Sequence, residues 1–250
     1  MAEKVTNYQP ASDHLKGKVI LVTGAGQGIG AAVSVALAKH GATVILLGRT
    51  TRKLEEVYDQ IEEAGGPEAA IYPMDLEGAK PEDYATLNET VMKEFGKLDG
   101  LLHNASILAG LTPLEQHGIE QWYKIMQINL HAPFLMTQAL MPALRAADSA
   151  SVLFTSSSVG RQGRAYWGAY AISKAGNESM MQIFADELET NTNIRANSIN
   201  PGATRTSMRA RAYPGEAPEN VTKPEDIVDA YLYLLGDDSK DVTGKQFDAQ

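Results

Sequence analysis

The chain has 250 residues, 44% hydrophobic and 21% charged, with a formal net charge of −9; this suffices for one large α/β core and is short for two full domains. An acidic chain without a run of Lys or Arg does not track a phosphate backbone, so a nucleic-acid partner is excluded. There is no cysteine, which removes disulfides, thiolate metal sites and a thiol nucleophile, and His14, His40, His103, His117 and His131 show no ligand spacing, so no metal is expected.

Residues 1–16 are polar and aperiodic and read as a surface arm ahead of a single domain spanning 17–250. They hold no apolar signal core, and no later stretch is long enough to span a bilayer, so a cytoplasmic location away from membranes is expected. Val19–Thr23 is a buried strand, and the glycines that follow lead into Ile29–Lys39, whose apolar residues recur at helical spacing. Ala42–Leu47, Ile71–Met74 and Leu98–His103 are further short apolar runs, with helical patterns over 52–64 and 81–96 between them. Strands alternating with helices imply parallel βαβ units. A long amphipathic stretch, Leu114–Ala147, precedes the strand Ser151–Thr155, a helix over Gly168–Leu188 and the strand Ile194–Asn200. A last short strand at Lys245–Asp248 brings the count to about seven. The expected fold is therefore a single doubly wound parallel sheet of the Rossmann type, flanked by helices. Thr204–Pro224 is long, irregular and rich in arginine, which suggests a lid.

Gly24, Gly26, Gly28 and Gly30 join the first strand to the first helix through a loop almost free of Cβ atoms. Such a loop lets the backbone approach a pyrophosphate, whose charge the unpaired N–H groups of the helix attract. About twenty residues beyond the glycines of a Rossmann unit, an acid accepts from a free ribose 2′-OH and an arginine pairs with a 2′-phosphate. Gly48-Arg49 occupies that place, with Arg52 and Lys53 one turn on, so NADP(H) is expected ahead of NAD(H). Tyr170 and Lys174 lie at i, i+4 within a helical segment and so share one face. A tyrosine with an ordinary pKa of about 10 is a weak acid/base partner near neutrality, and a neighbouring ammonium favours its phenolate.

Thr23, Gly24, Gly28 and Gly30 form T-G-x-x-x-G-x-G, with Ile29 where the commoner fingerprint has its third glycine. Together with Tyr170-x-x-x-Lys174, and with Ser157 thirteen residues before Tyr170, this pattern resembles the short-chain dehydrogenase/reductase family over about residues 18–248. The stretch TSSSVGRQGRAYWGAYAISK and the ending GDDS…TGKQFDAQ look like the YciK-like bacterial branch. The resemblance implies a catalytic set of Asn129, Ser157, Tyr170 and Lys174. In it Ser157 orients a carbonyl oxygen, Tyr170 exchanges the proton, Lys174 also holds the nicotinamide ribose, and Asn129 holds a water leading to solvent. It further implies cofactor contacts from Thr23, Gly24, Gly26, Gln27, Gly28, Ile29 and Gly30, from Arg49, Asp75 and Leu76, from Asn104 and Ala105, from Tyr170 and Lys174, and from Pro201, Gly202, Thr204 and Thr206. His103 and Ser106 depart from the family's Asn-Asn-Ala-Gly, which leaves the ribose contacts there open.

The expected activity is NADPH-dependent hydride transfer between nicotinamide and a small carbonyl or alcohol. A dinucleotide-binding sensor without turnover is the alternative, and the intact Asn129, Ser157, Tyr170 and Lys174 weigh against it, since a binder needs no proton donor. Leu108, Trp167, Met208 and Tyr213 either wall a substrate pocket or pack in the core or lid. Arg161, Arg164, Arg205, Arg209 and Arg211 either invite an acidic substrate or pair with the surplus carboxylates. Leu114–Ala147 and Gly168–Leu188 are apolar over more of their circumference than one sheet face covers, which predicts a homodimer or homotetramer.

Overall fold

The computed structural model describes residues 2–5 and 8–250. In chain order its strands are β1 (Glu3–Lys4), β2 (Val19–Thr23), β3 (Thr43–Gly48), β4 (Ala70–Pro73), β5 (Gly100–His103), β6 (Ala150–Thr155), β7 (Ile194–Asn200) and β8 (Gln246–Asp248). Its helices are α1 (Gly28–Lys39), α2 (Thr51–Glu63), α3 (Pro81–Phe95), α4 (Ile119–Met126), α5 (Ala132–Arg145), α6 (Ser158–Arg161), α7 (Gly168–Glu189), α8 (Ser207–Ala212) and α9 (Val228–Leu235). The strands form one parallel sheet in the order β1-β8-β7-β6-β5-β2-β3-β4.

The count is eight strands, not seven. The extra strand lies inside the expected arm, where Glu3 pairs with Phe247 and Lys4 with Asp248. Two residues are too few to show an alternation, so only the edge of β8 defines this strand. Leu15, also within the arm, is fully buried.

β2, β5 and β6 are buried at every position, as parallel strands covered on both faces must be. Because side chains alternate, Ile20 and Val22 face a core built with Val33, Leu37, Leu54 and Tyr231 of α1, α2 and α9. Val19 and Leu21 face the other core, with Tyr84, Leu87, Met136, Leu140 and Met181 of α3, α5 and α7. The chain order reverses between β2 and β5, and a crevice opens at their carboxyl ends.

The long stretch Leu114–Ala147 is divided. A 3-10 turn, Leu114–Gln116, ends before Gly118, and a π turn, Gln127–His131, separates α4 from α5. Pro133 contributes to that break. It has no N–H to give the carbonyl four residues back, at Asn129, and that carbonyl accepts instead from Asn177 Nδ2 at 2.8 Å. The expected lid is only partly irregular, since it contains α8 and a 3-10 turn at Pro218–Asn220. Its two ends are joined where Arg205 N donates to Thr222 O at 2.8 Å.

Candidate active site

A cleft of about 380 Å³ runs along the carboxyl ends of the strands, a size ordinary for a ligand site. Of the residues expected to act, Gly24, Gly26, Gln27, Gly28, Ile29, Arg49, Asp75, Leu76, Asn104, Ala105, Ser157, Tyr170, Lys174, Pro201, Gly202, Thr204 and Thr206 line it. Thr23, Gly30 and Asn129 lie behind its wall.

At one end the cleft meets the start of α1. Gln27 does not cap this helix with its side chain and no acid stands in its first turn, so its first N–H groups are left for an anion. Gly28 has a φ of +58°, and a Cβ there would come within 3.2 Å of Thr206 Cγ2. A Cβ at Gly30 would collide with the Gly24 carbonyl, so the loop can be this tight only without side chains. Thr23 stiffens the floor. Its Oγ1 accepts from Asn104 N at 2.9 Å and Ala105 N at 3.0 Å, and donates to Leu102 O. Asn104 Nδ2 in turn donates to Thr23 O at 3.0 Å, so these two residues weld the β2 and β5 ends together. Arg49, at the β3 end, is exposed and without an ion-pair partner among the described residues. Lys53 lies beside it and donates to Gln27 Oε1. The glycine-rich loop, the uncapped helix start and the two cations fit a dinucleotide bearing a 2′-phosphate.

At the other end α7 brings Tyr170 and Lys174 to the wall one turn apart. Lys174 Nζ donates to Thr155 O at 2.7 Å and lies 5.7 Å from the centroid of the Tyr170 ring. Burial lowers the Lys174 ammonium to about 8, against a smaller upward pull from Glu178. Burial likewise raises the Tyr170 phenol, while the hydroxyls of Ser157 and Ser106 draw it back. Burial is the largest cause and the phenol is raised, the opposite of the direction that a neighbouring Lys174 ammonium leads one to expect. Val159, Tyr170 and Ala171 pack with Leu108, Trp167 and Met208 into a small apolar cluster, and Tyr213 completes the wall.

Asn129 stands at the centre of the π turn, 1% exposed, in the kind of irregularity that often marks a functional position. Its Oδ1 accepts from Ile107 N at 2.9 Å, and its Nδ2 donates to Ile107 O at 2.9 Å and to Ser173 Oγ at 3.2 Å. Both amide hydrogens are used within the fold, so this side chain clamps the loop after β5. Ser173 and Asn177, which hold Asn129, were not singled out from the sequence. Their spacing of i+3 and i+7 from Tyr170 on one helix face is the available signal.

His103 turns inward rather than toward the cleft. It stacks on Phe154 at 4.9 Å, and its Nε2 lies 2.8 Å from Thr137 Oγ1. Since Thr137 donates to Pro133 O, the imidazole is the donor to Thr137. Burial, with the Lys174 charge nearby, lowers His103 to about 3. Two of the five clustered arginines are paired within the fold. Arg161 binds Glu178 at 3.1 Å and Asp248 at 2.8 Å, and Arg209 forks onto both oxygens of Glu216 at 2.6 Å. For these two the structure shows pairing with carboxylates, not recruitment of an acidic substrate.

The short chain dehydrogenase family model matches residues 18–217. The chain belongs to this family. It is 47% identical to the oxidoreductase YciK of Escherichia coli (strain K12) over 98% of this chain and 96% of the other. A short chain dehydrogenase from Pseudomonas syringae superposes with a TM-score of 0.94 at 53% identity, covering 98% of this chain and 100% of that one. A short chain dehydrogenase from Shigella flexneri 2a, solved in complex with NADP, superposes with a TM-score of 0.93 at 47% identity, covering 96% and 100%. As a short-chain dehydrogenase the protein is an oxidoreductase. Among the described residues no helix is long and apolar enough to cross a membrane.

Proposed function

We propose that this short-chain dehydrogenase interconverts a small carbonyl compound and its alcohol with NADP(H), NAD(H) being the weaker cofactor. The observation that carries the reading is one cleft with an uncapped glycine-loop helix at one end and Ser157, Tyr170 and Lys174 at the other. Gly24, Gly26, Gln27, Gly28 and Ile29 would hold the pyrophosphate. Arg49 would hold the 2′-phosphate, and Asp75 with Leu76 the adenine. Asn104, Ala105, Pro201, Gly202, Thr204 and Thr206 would enclose the nicotinamide half. The NADP complex of the Shigella relative supports NADP(H) as the cofactor.

When bound, NADPH supplies the hydride that adds to the carbonyl carbon while the carbonyl electron pair moves onto oxygen. Ser157 donates a hydrogen bond to that oxygen and orients it. Tyr170 gives its O–H proton to the same oxygen, and the raised phenol suits this role, since the proton is held until an alkoxide forms. Lys174, tethered to Thr155 O, sits where an ammonium limits the cost of the phenolate left behind. Asn129 acts indirectly, by fixing the loop that carries Ser106 and Ile107. Oxidation of an alcohol uses the same groups in reverse. A cytoplasmic homodimer or homotetramer completes the proposal.

The test is Tyr170→Phe, which removes only the hydroxyl. Turnover of a carbonyl found by screening should fall by about two to four orders of magnitude with NADPH affinity unchanged. Retention of most of the activity would overturn the assignment.

A further inference from the structure

The segment Phe247–Gln250 has no part in the catalytic set, yet it grips one wall of the cleft. β8 runs parallel to β7 in a register that sets Phe247 beside Ile199 and Asp248 beside Asn200, so the residues after Asp248 arrive next to the loop that β7 feeds. Ala249 N donates to Asn200 O at 3.0 Å. Asp248 Oδ1 accepts from Asn200 Nδ2 at 2.9 Å and from Arg161 Nη1 at 2.8 Å, and Asn200 Oδ1 accepts from Gly202 N at 3.1 Å. Gln250 completes the hold. Its Nε2 donates to Pro201 O at 2.6 Å and to Ala203 O at 3.1 Å, with Thr204 Oγ1 at 3.3 Å, and its Oε1 accepts from Thr222 Oγ1 at 2.8 Å. The two carbonyl partners fix which end of the amide carries the hydrogens. Gly202 leaves the room for it, because a Cβ there would come within 2.8 Å of Gln250 Nε2.

One amide thus spans both feet of the lid, the loop that leaves β7 and the strand-like return at Thr222, which pairs with Thr204. Pro201, Gly202 and Thr204 line the cleft, whereas Gln250 does not. Gln250 is exposed, and holding a long exposed side chain in one conformation costs rotamer freedom, so its four partners describe a fastening and not a need of the side chain itself. We propose that Gln250 is a positioning residue that holds Pro201–Thr204 in place against the nicotinamide half of the cofactor. This rests on the reading that this loop encloses that half. The adenine half, on Arg49, Asp75 and Leu76, belongs to the opposite end of the cleft and is outside the reach of the fastening.

The experiment compares wild type, Q250A, Q250E and T206A. It measures melting temperature and, by calorimetry, the affinities for NADPH, NADH and adenosine 2′,5′-bisphosphate, which keeps the adenine half with its 2′-phosphate and lacks the nicotinamide. In Q250A both NADPH and NADH should weaken by the same factor, about three- to tenfold, and at least as much in Q250E, whose carboxylate turns an oxygen toward two carbonyls. Adenosine 2′,5′-bisphosphate should bind both variants as it binds wild type. The melting temperature should hold, since hydrogen bonds that water can replace at an exposed side chain add little to global stability. Unchanged NADPH affinity in both Gln250 variants, with T206A weakened, overturns the proposal alone. Unchanged NADPH affinity in all three variants overturns the reading that the loop encloses the nicotinamide half, and the proposal with it. A loss of adenosine 2′,5′-bisphosphate affinity equal to that of NADPH, or a lower melting temperature in Q250A, assigns Gln250 a general structural role and also overturns the proposal.

Discussion

Arg49 and His103 show how one side chain can face a ligand or serve the fold alone. Arg49 is exposed at the end of β3, with Lys53 nearby and no acid at the strand end to repel a phosphate. Arg49→Ala should therefore weaken NADPH by about 1–3 kcal/mol, as expected for a charge-assisted contact, and leave NADH nearly untouched. Titration calorimetry with both cofactors checks this, and equal wild-type affinity for the two would contradict it. His103 is buried and neutral. Its imidazole takes a proton near 6.5 in the unfolded chain but only near about 3 in the fold. Between those values unfolding takes up a proton, so stability present above pH 6.5 is lost as the pH falls through this window. The slope should approach about 1.4 kcal/mol per pH unit. His103→Asn, which installs the family's residue, should flatten that slope in denaturant titrations taken from pH 7 down to pH 4.

At the scale of elements, α7 carries the chemistry and the segment between β7 and α9 covers it. Tyr170, Lys174 and Glu178 follow one another at i, i+4 and i+8 along one face of α7. Glu178 is gripped by Arg161, by Ser198 Oγ at 2.7 Å and by Gln246 Nε2 at 2.9 Å, which fixes the rotation of the helix relative to β7 and β8. The lid is held from within. Arg209 pairs with Glu216 and lies 3.8 Å over the Tyr213 ring. Both carboxylate and guanidinium are partly solvated, and such a pair contributes little to global stability. Glu216→Gln should therefore leave the melting temperature unchanged while amide exchange within Ser207–Ala212 accelerates severalfold. Exchange unaltered in that segment would show that the latch does not hold the lid.

Across the whole molecule the surface carries an unequal distribution of apolar side chains. Ile119 and Tyr123 on α4, Phe134 on α5, and Ile172 and Ile183 on α7 are all exposed by 41% or more. Helices α5 and α7 cover one sheet face and α4 packs against α7, and an apolar surface of this kind fits association with a second copy. Light scattering at micromolar concentration should return a mass of at least twice 27.0 kDa. Replacing Phe134 and Ile183 by charged residues should shift the species toward the monomer, and a monomeric wild type would contradict the expectation.

Much of the fold and of the candidate site was legible because it is written in local patterns. Apolar runs mark β2, β3, β5, β6 and β7, the glycines mark the loop before α1, and Tyr170 with Lys174 needs only the pitch of one helix. Such features depend on neighbours within a few residues, so they survive without knowledge of the rest of the chain. What the tertiary structure alone decided concerns partners far apart in sequence. Strand β1 exists through β8, Arg161 finds Asp248 across 87 positions, and Thr23 spends its hydroxyl on residues about 80 positions away. The clamp of Asn129 on Ile107 belongs to the same class. A side chain's hydrogen-bond partners and its desolvation depend on which strands lie next to one another, and that order is a property of the packed sheet, not of any one segment.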